Sequence, residues 1–148
     1  MKISTKGRYG LRAMVDLTVN SNGQLITLNS IAERQNISER YLEQLFSTLK
    51  KSGLIKSEKG SQGGYMLSKS ASKITAGDIL RVLEGNLSVI GDVEYEKDNA
   101  PDMEKFLISN VWEKINENIS KVVDSITLEE LAVNYKKYYE QTSFMFYI

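Results

Sequence analysis

Ile37-Ser-Glu-Arg-Tyr-Leu-Glu-Gln-Leu-Phe-Ser-Thr-Leu-Lys-Lys51 is the stretch whose reading decides the fold. Leu42, Leu45, Phe46 and Leu49 recur at i, i+3, i+4 and i+7, one apolar stripe on a 3.6-residue period, and Ser38 precedes them as a preferred N-cap. The spacing predicts a helix with one buried face. Its other face carries Glu39, Arg40, Glu43, Gln44 and Thr48, and Tyr41 is placed to pack its ring while its hydroxyl stays wet. Donors and acceptors together near a helix N-terminus are what reading base edges in a major groove requires. Many solvated helices share that inventory, so the neighbouring segments decide.

Working outward, Thr27 is placed to cap a short helix with Leu28, Ile31 and Ala32 inside, and Gln35-Asn36 supplies a turn. Two short helices joined by such a turn form a helix-turn-helix, the second helix being the reader. On the other side, Gly53 is a C′ candidate, with Leu54 closing the helix end hydrophobically. Residues 54–58 and 65–68 then read as short strands around Lys59-Gly60-Ser61-Gln62-Gly63-Gly64, a glycine-rich hairpin tip with one cation. That composition suits a wing lying along phosphates or entering a minor groove. Glycine-rich loops also cradle nucleotides, but no Walker-type Lys-Ser/Thr follows the last glycine directly, where Tyr65 stands. A one- or two-residue strand within 24–27 is expected to complete the small sheet.

The net charge of zero conceals a division. Residues 1–70 hold eleven Lys/Arg against five Asp/Glu, a balance of +6, while residues 71–148 hold eight against fourteen, a balance of −6. A basic half fused to an acidic half suits a polyanion partner for the first and protein contacts for the second. Lys6, Arg8 and Arg12 sit at the start of a helix expected to run to about Val19, with Tyr9 among them. Dipole and side-chain charge together would clamp a phosphate there. The chain has no cysteine and no histidine, which removes disulfides, Cys/His zinc sites, thiol nucleophiles and Ser-His-Asp triads. The polar start lacks an apolar signal core and no apolar run approaches a membrane span, so a cytoplasmic location is expected.

After the wing, Thr75-Ala-Gly-Asp78 reads as a capping box, followed by Ile79, Leu80, Val82 and Leu83 up to Gly85. This helix is expected to pack under the first and to close a DNA-binding domain over 1–85. Residues 86–102 lose periodicity and gather acid (Asp92, Glu94, Glu96, Asp98, Asp102), the composition of a loop; they lack the spacing of a calcium loop, and no metal is expected. In the remainder, 103–148, Ile108, Trp112, Ile115, Ile119, Val122 and Ile126 recur at alternating spacings of four and three, a heptad seam. Burial against a second copy is the preferred reading of that seam, packing on the first helix the alternative. Thr127-Leu-Glu-Glu130 opens a last helix to about Glu140, with Leu128, Leu131 and Tyr135 inward. Ser143-Phe-Met-Phe-Tyr-Ile148 is an apolar ending that either docks on the chain's own dimer or serves as a peptide ligand for another protein.

The fold class is therefore mainly α with a small β wing: a winged helix-turn-helix plus a long C-terminal dimerisation helix. Ser4-Thr-Lys-Gly-Arg-Tyr9, Ile37-Ser-x-x-Tyr-Leu-Glu-Gln-Leu45, Gly53-Leu54, Gly63-Gly64-Tyr65, Ile74-Thr-x-Gly-Asp78 and Thr127-Leu-x-x-Leu131, in this order, resemble the Rrf-two family of bacterial transcription regulators, the IscR/NsrR/CymR type. The resemblance implies a homodimer on palindromic operators in double-stranded DNA. It implies DNA contacts from Lys6, Arg8, Tyr9, Ser38, Glu39, Arg40, Tyr41, Glu43, Gln44, Lys59, Gly60, Ser61 and Gln62, and a dimer interface of Ile108, Trp112, Ile115, Ile119 and Val122. Iron-sulfur members carry three cysteines in the loop that here spans 86–102; this chain has none, so no thiolate-held cluster and no cofactor is expected. The likeness is strongest to the family's cysteine-metabolism repressors, which work with cysteine synthase (O-acetylserine thiol-lyase). That implies a partner-binding tail of Phe146, Tyr147 and Ile148, the terminal isoleucine entering the enzyme as that of serine acetyltransferase does. Two rivals stand beside this reading. A protein-interaction module without DNA binding leaves the +6 half unexplained, and an enzyme has no catalytic motif to work with.

Overall fold

The computed structural model describes residues 1–91 and 98–146. Three helices, α1 (Thr5–Ser21), α2 (Leu28–Gln35) and α3 (Glu39–Lys51), lead into an antiparallel hairpin, β1 (Ile55–Glu58) and β2 (Gly64–Leu67). Ile55 pairs with Leu67 and Glu58 with Gly64. A single-residue bridge from Ile26 to Tyr65 supplies the third strand of the small sheet. Gly64 has no room for a side chain, because a Cβ would stand 2.6 Å from the Ile26 carbonyl oxygen. After a 3-10 turn, α4 (Ala76–Glu84) follows.

Local chemistry accounts for the ends of these elements. Thr27 Oγ1 accepts from Ser30 N, Ser38 Oγ from Tyr41 N, and Thr75 and Asp78 exchange both bonds of a capping box. Asn36 takes the left-handed conformation, φ 53°, that turns α2 into α3. Behind α3, Leu54 N donates to Leu49 O and Gly53 N to Lys50 O, a Schellman pair that needs the positive φ of Gly53, 84°.

The core gathers Met14 and Leu17 of α1, Ile31 of α2, Leu42, Phe46 and Leu49 of α3, and Ile79 of α4, all fully buried. Helices α1 and α4 touch closely: a side chain at Gly7 would run into Glu84, and one at Gly10 into Leu83. The core continues past residue 85. Leu128 is fully buried in the same cluster, and Ala76 N donates to Ile126 O while Leu128 N donates to Ile74 O. Among the described residues no buried side-chain polar atom lacks a partner.

The C-terminal part differs from its sequence reading in three ways. The expected seam helix is α5 (Asp102–Leu107), a π turn (Ile108–Trp112) and α6 (Glu113–Ser125), helical through both junctions. The wide turn offsets Ile108 from the seam positions that follow it. Ile108 is buried in its own chain, Trp112 and Ile119 are half-buried, and Ile115 and Val122 are exposed. Helix α6 packs on α4 rather than α1: Arg81 bonds both oxygens of Asp124 at 2.6 and 3.0 Å, and a side chain at Gly77 would collide with Asp124. The last helix, α7 (Leu128–Phe146), is longer than expected and lies along α1; Tyr135, read as inward, is 45% exposed and stacked on Tyr139. No helix among the described residues is long and apolar enough to cross a membrane.

Candidate nucleic-acid interface

The amphipathic split of α3 produces the interface. Burying Leu42, Leu45, Phe46 and Leu49 fixes the rotation of the helix, and this leaves Glu39, Arg40, Glu43, Gln44 and Thr48 exposed. Among the described residues the side chains of Arg40, Glu43 and Gln44 have no hydrogen-bond or ion-pair partner, so their polar groups are open to a ligand. Glu39 is held: Asn29 Nδ2 of α2 donates to it at 3.1 Å. Ser38 is exposed but spends its hydroxyl on the cap.

Tyr9 and Tyr41 are half-buried and meet edge to face with centroids 6.0 Å apart, joining the start of α1 to the first turn of α3. Arg12 lies over the Tyr9 ring at 4.7 Å and donates to Gln35 O at 3.0 Å, in the turn between the two helices of the motif. Arg8 approaches the same ring at 5.8 Å. Both tyrosines thus brace the reader against α1. At the other end of α3, Lys50 Nζ donates to Ser57 Oγ at 2.6 Å, fixing the helix to strand β1 of the wing. The wing tip, Lys59, Gly60, Ser61 and Gln62, is exposed.

The start of α1 corrects one expectation. Its free donors are not offered to a phosphate, because the carboxylate of Glu84 sits there. Glu84 Oε1 accepts from Ser4 N, Ser4 Oγ and Gly7 N at 2.8, 2.6 and 2.9 Å. The Ser4 hydroxyl, then the Ser4 and Gly7 amides and Lys6, hold this carboxyl below the ordinary carboxylate range. Lys6 and Arg8 remain exposed, so any phosphate contact there is made by their side chains.

Sequence reasoning missed Asn29, the ring contact of Arg12 and Glu84. The Tyr9–Arg12 spacing of three on a helix was a usable signal; the 80-residue separation of Ser4 and Glu84 offered none. A second missed group is Asp16, its side chain 1% exposed, which accepts from Arg34 Nε and a terminal guanidinium nitrogen and from Gln35 Nε2. The proposed tail falls largely outside the described residues: Tyr147 and Ile148 are beyond them, and Phe146 is the last helical position.

Comparison with known proteins supplies the remaining findings. Residues 3–134 match the family model Rrf2, described as an iron-dependent transcriptional regulator. The HTH-type transcriptional regulator CymR of Bacillus subtilis is 47% identical over 148 residues, all of both chains. IscR of Klebsiella pneumoniae is 39% identical over 134 residues, 90% of this chain and 81% of that protein. The solved structure of CymR (YrzC), the global cysteine regulator of B. subtilis, superposes with a TM-score of 0.76 at 43% identity, covering 90% of this chain and 98% of the other. These relatives are transcription regulators, not enzymes. The chain does not fit the iron of the family description as a thiolate- or imidazole-held centre, having neither residue type. Among the described residues no three carboxylates are grouped to replace them.

Proposed function

The chain belongs to the Rrf2 family of DNA-binding transcription regulators, and from that premise we propose a homodimeric repressor of cysteine and sulfur metabolism genes that occupies palindromic operators. The observation that carries the reading is the exposed edge of α3 at Arg40, Glu43 and Gln44, whose side chains have no partner among the described residues, opposite a buried face and flanked by the wing. Two copies of α3 would enter successive major grooves about one helical turn apart. Arg40 and Gln44 reach base edges, with Glu43 beside them, while Ser38, Glu39 and Tyr41 orient the helix end. Lys6, Arg8 and Lys59 act on phosphates as point charges, which makes binding fall with salt.

Dimerisation is proposed through Trp112, Ile115, Ile119 and Val122. Ile108, buried within its own chain, supports that surface from behind rather than joining it. The metabolic assignment rests on the full-length similarity to CymR. From the same likeness we take cysteine synthase as the partner enzyme, with Phe146, Tyr147 and Ile148 as its ligand, in a cytoplasmic setting. A gel-shift titration on the chain's own upstream region, with and without purified cysteine synthase, tests the proposal. Operator binding modulated by the enzyme, with the modulation lost on deleting Ile148, supports it. No shift at low salt overturns the repressor reading; a shift insensitive to the enzyme overturns only the partner.

A further inference from the structure

Between α1, the end of α2 and α7 lies a cavity of about 740 Å³, inside the span of roughly 300–1,000 Å³ typical of sites for small organic molecules. Its base is rigid and electrically closed. Asp16 is neutralised by Arg34 and also accepts from Gln35, so the buried carboxylate of the lining is already paired. Val15 and Val19 of α1 give one apolar wall; facing helix α7 contributes Tyr135 and Tyr139, stacked at 6.2 Å with their planes 29° apart.

The remaining lining charges are open. Lys136 and Glu140, one turn apart on α7, have no hydrogen-bond or ion-pair partner among the described residues and do not pair with each other. Arg12 uses one terminal nitrogen on Gln35 O and keeps its other donors. A simple anion would meet Glu140, and a simple cation would meet Arg12 and Lys136. A molecule bearing both a carboxylate and an ammonium group satisfies all three, and an apolar body satisfies the valines and tyrosines.

We propose that this cavity binds an amphoteric amino-acid compound with an apolar side chain, free or as a short peptide. The carboxylate faces Arg12 and Lys136, the ammonium faces Glu140, and the body lies between Val15, Val19 and the tyrosine pair. Arg12 also braces Tyr9 and, through it, the reading helix, so the ligand meets a residue already tied to α3.

Calorimetric titration of the full chain without DNA tests this independently of any operator. The probes are L-leucine, L-phenylalanine and L-leucyl-L-leucine, with phenethylamine and phenylpyruvate as analogues lacking one charged group. Saturable binding of at least one probe is expected. Either analogue should bind roughly tenfold or more weakly than L-phenylalanine, as should the binding probe to Lys136→Met or Glu140→Gln, from the loss of one charge-assisted bond. Both variants change exposed side chains, and unchanged circular dichroism and melting would confirm their fold. Silence from all three probes, as a second copy filling the cavity would produce, overturns the assignment. So does equal binding of either analogue, or undiminished affinity in both variants.

Discussion

The two ends of this chain solve the burial problem in opposite ways. The amino-terminal part closes a core around Met14, Leu17, Ile31, Leu42, Phe46 and Leu49 and presents a polar edge; apart from Met1, its large apolar side chains are covered. Among the described residues, every other exposed large apolar residue lies at or beyond Met103, among them Phe106, Ile115, Val122, Tyr138, Phe144 and Met145. Unburied apolar surface on this scale marks an interaction site. One part turns a polar edge outward, whereas the other leaves apolar surface uncovered, which the proposed dimer would bury. Charge follows the same division, +6 against −6.

The largest expected effects test that contrast. Phe46→Ala, which empties a fully buried site, should cost about 3–5 kcal/mol of unfolding free energy, whereas exposed Val122→Ala should stay within about 0.5 kcal/mol in a monomeric sample; denaturant titration compares the two. Ile115→Glu with Val122→Glu should convert a dimer to a monomer in sedimentation analysis and weaken operator binding by roughly a hundredfold, since each half-site then binds alone. If the double variant still sediments as the wild type does, the apolar surface serves something other than self-association.

Smaller effects sharpen the amino-terminal side. Lys59→Ala should weaken all DNA sequences alike and lower the salt slope by about one. Glu84 supplies the smallest effect, in acid. Its folded pKa is depressed, so its contribution is complete above the ordinary value of 4.5 and is lost as pH falls through the lower folded value. Glu84→Gln should flatten that part of a stability-against-pH curve; an unchanged curve would remove the carboxylate from the account of α1.

What could be read in the sequence was local. Thr27, Ser38, the Thr75–Asp78 box and Gly53 each act on backbone within a few residues, and the stripe from Leu42 to Leu49 needed only helical period. The single bridge at Ile26 was legible because a winged helix usually needs a third strand to complete its sheet. What escaped was set by tertiary contact. Nothing near Ser4 announces Glu84, and nothing in the heptad spacing announces the π turn at Ile108–Trp112 or the burial of Ile108 within its own chain. Helical period alone places Tyr135 inward, yet its ring stays 45% exposed, lining the open cavity between α7 and α1 with Val15 and Val19.

The claim on which the rest depends is that the open edge of α3 reads base sequence. Fluorescence anisotropy of the full chain and of Gln44→Ala, titrated against the native upstream duplex and a shuffled duplex at one salt concentration, tests it most directly. Loss of about 1–3 kcal/mol on the native duplex, with affinity for the shuffled one retained, is the predicted result. Equal loss on both, or a wild-type chain that does not distinguish the two duplexes, contradicts it.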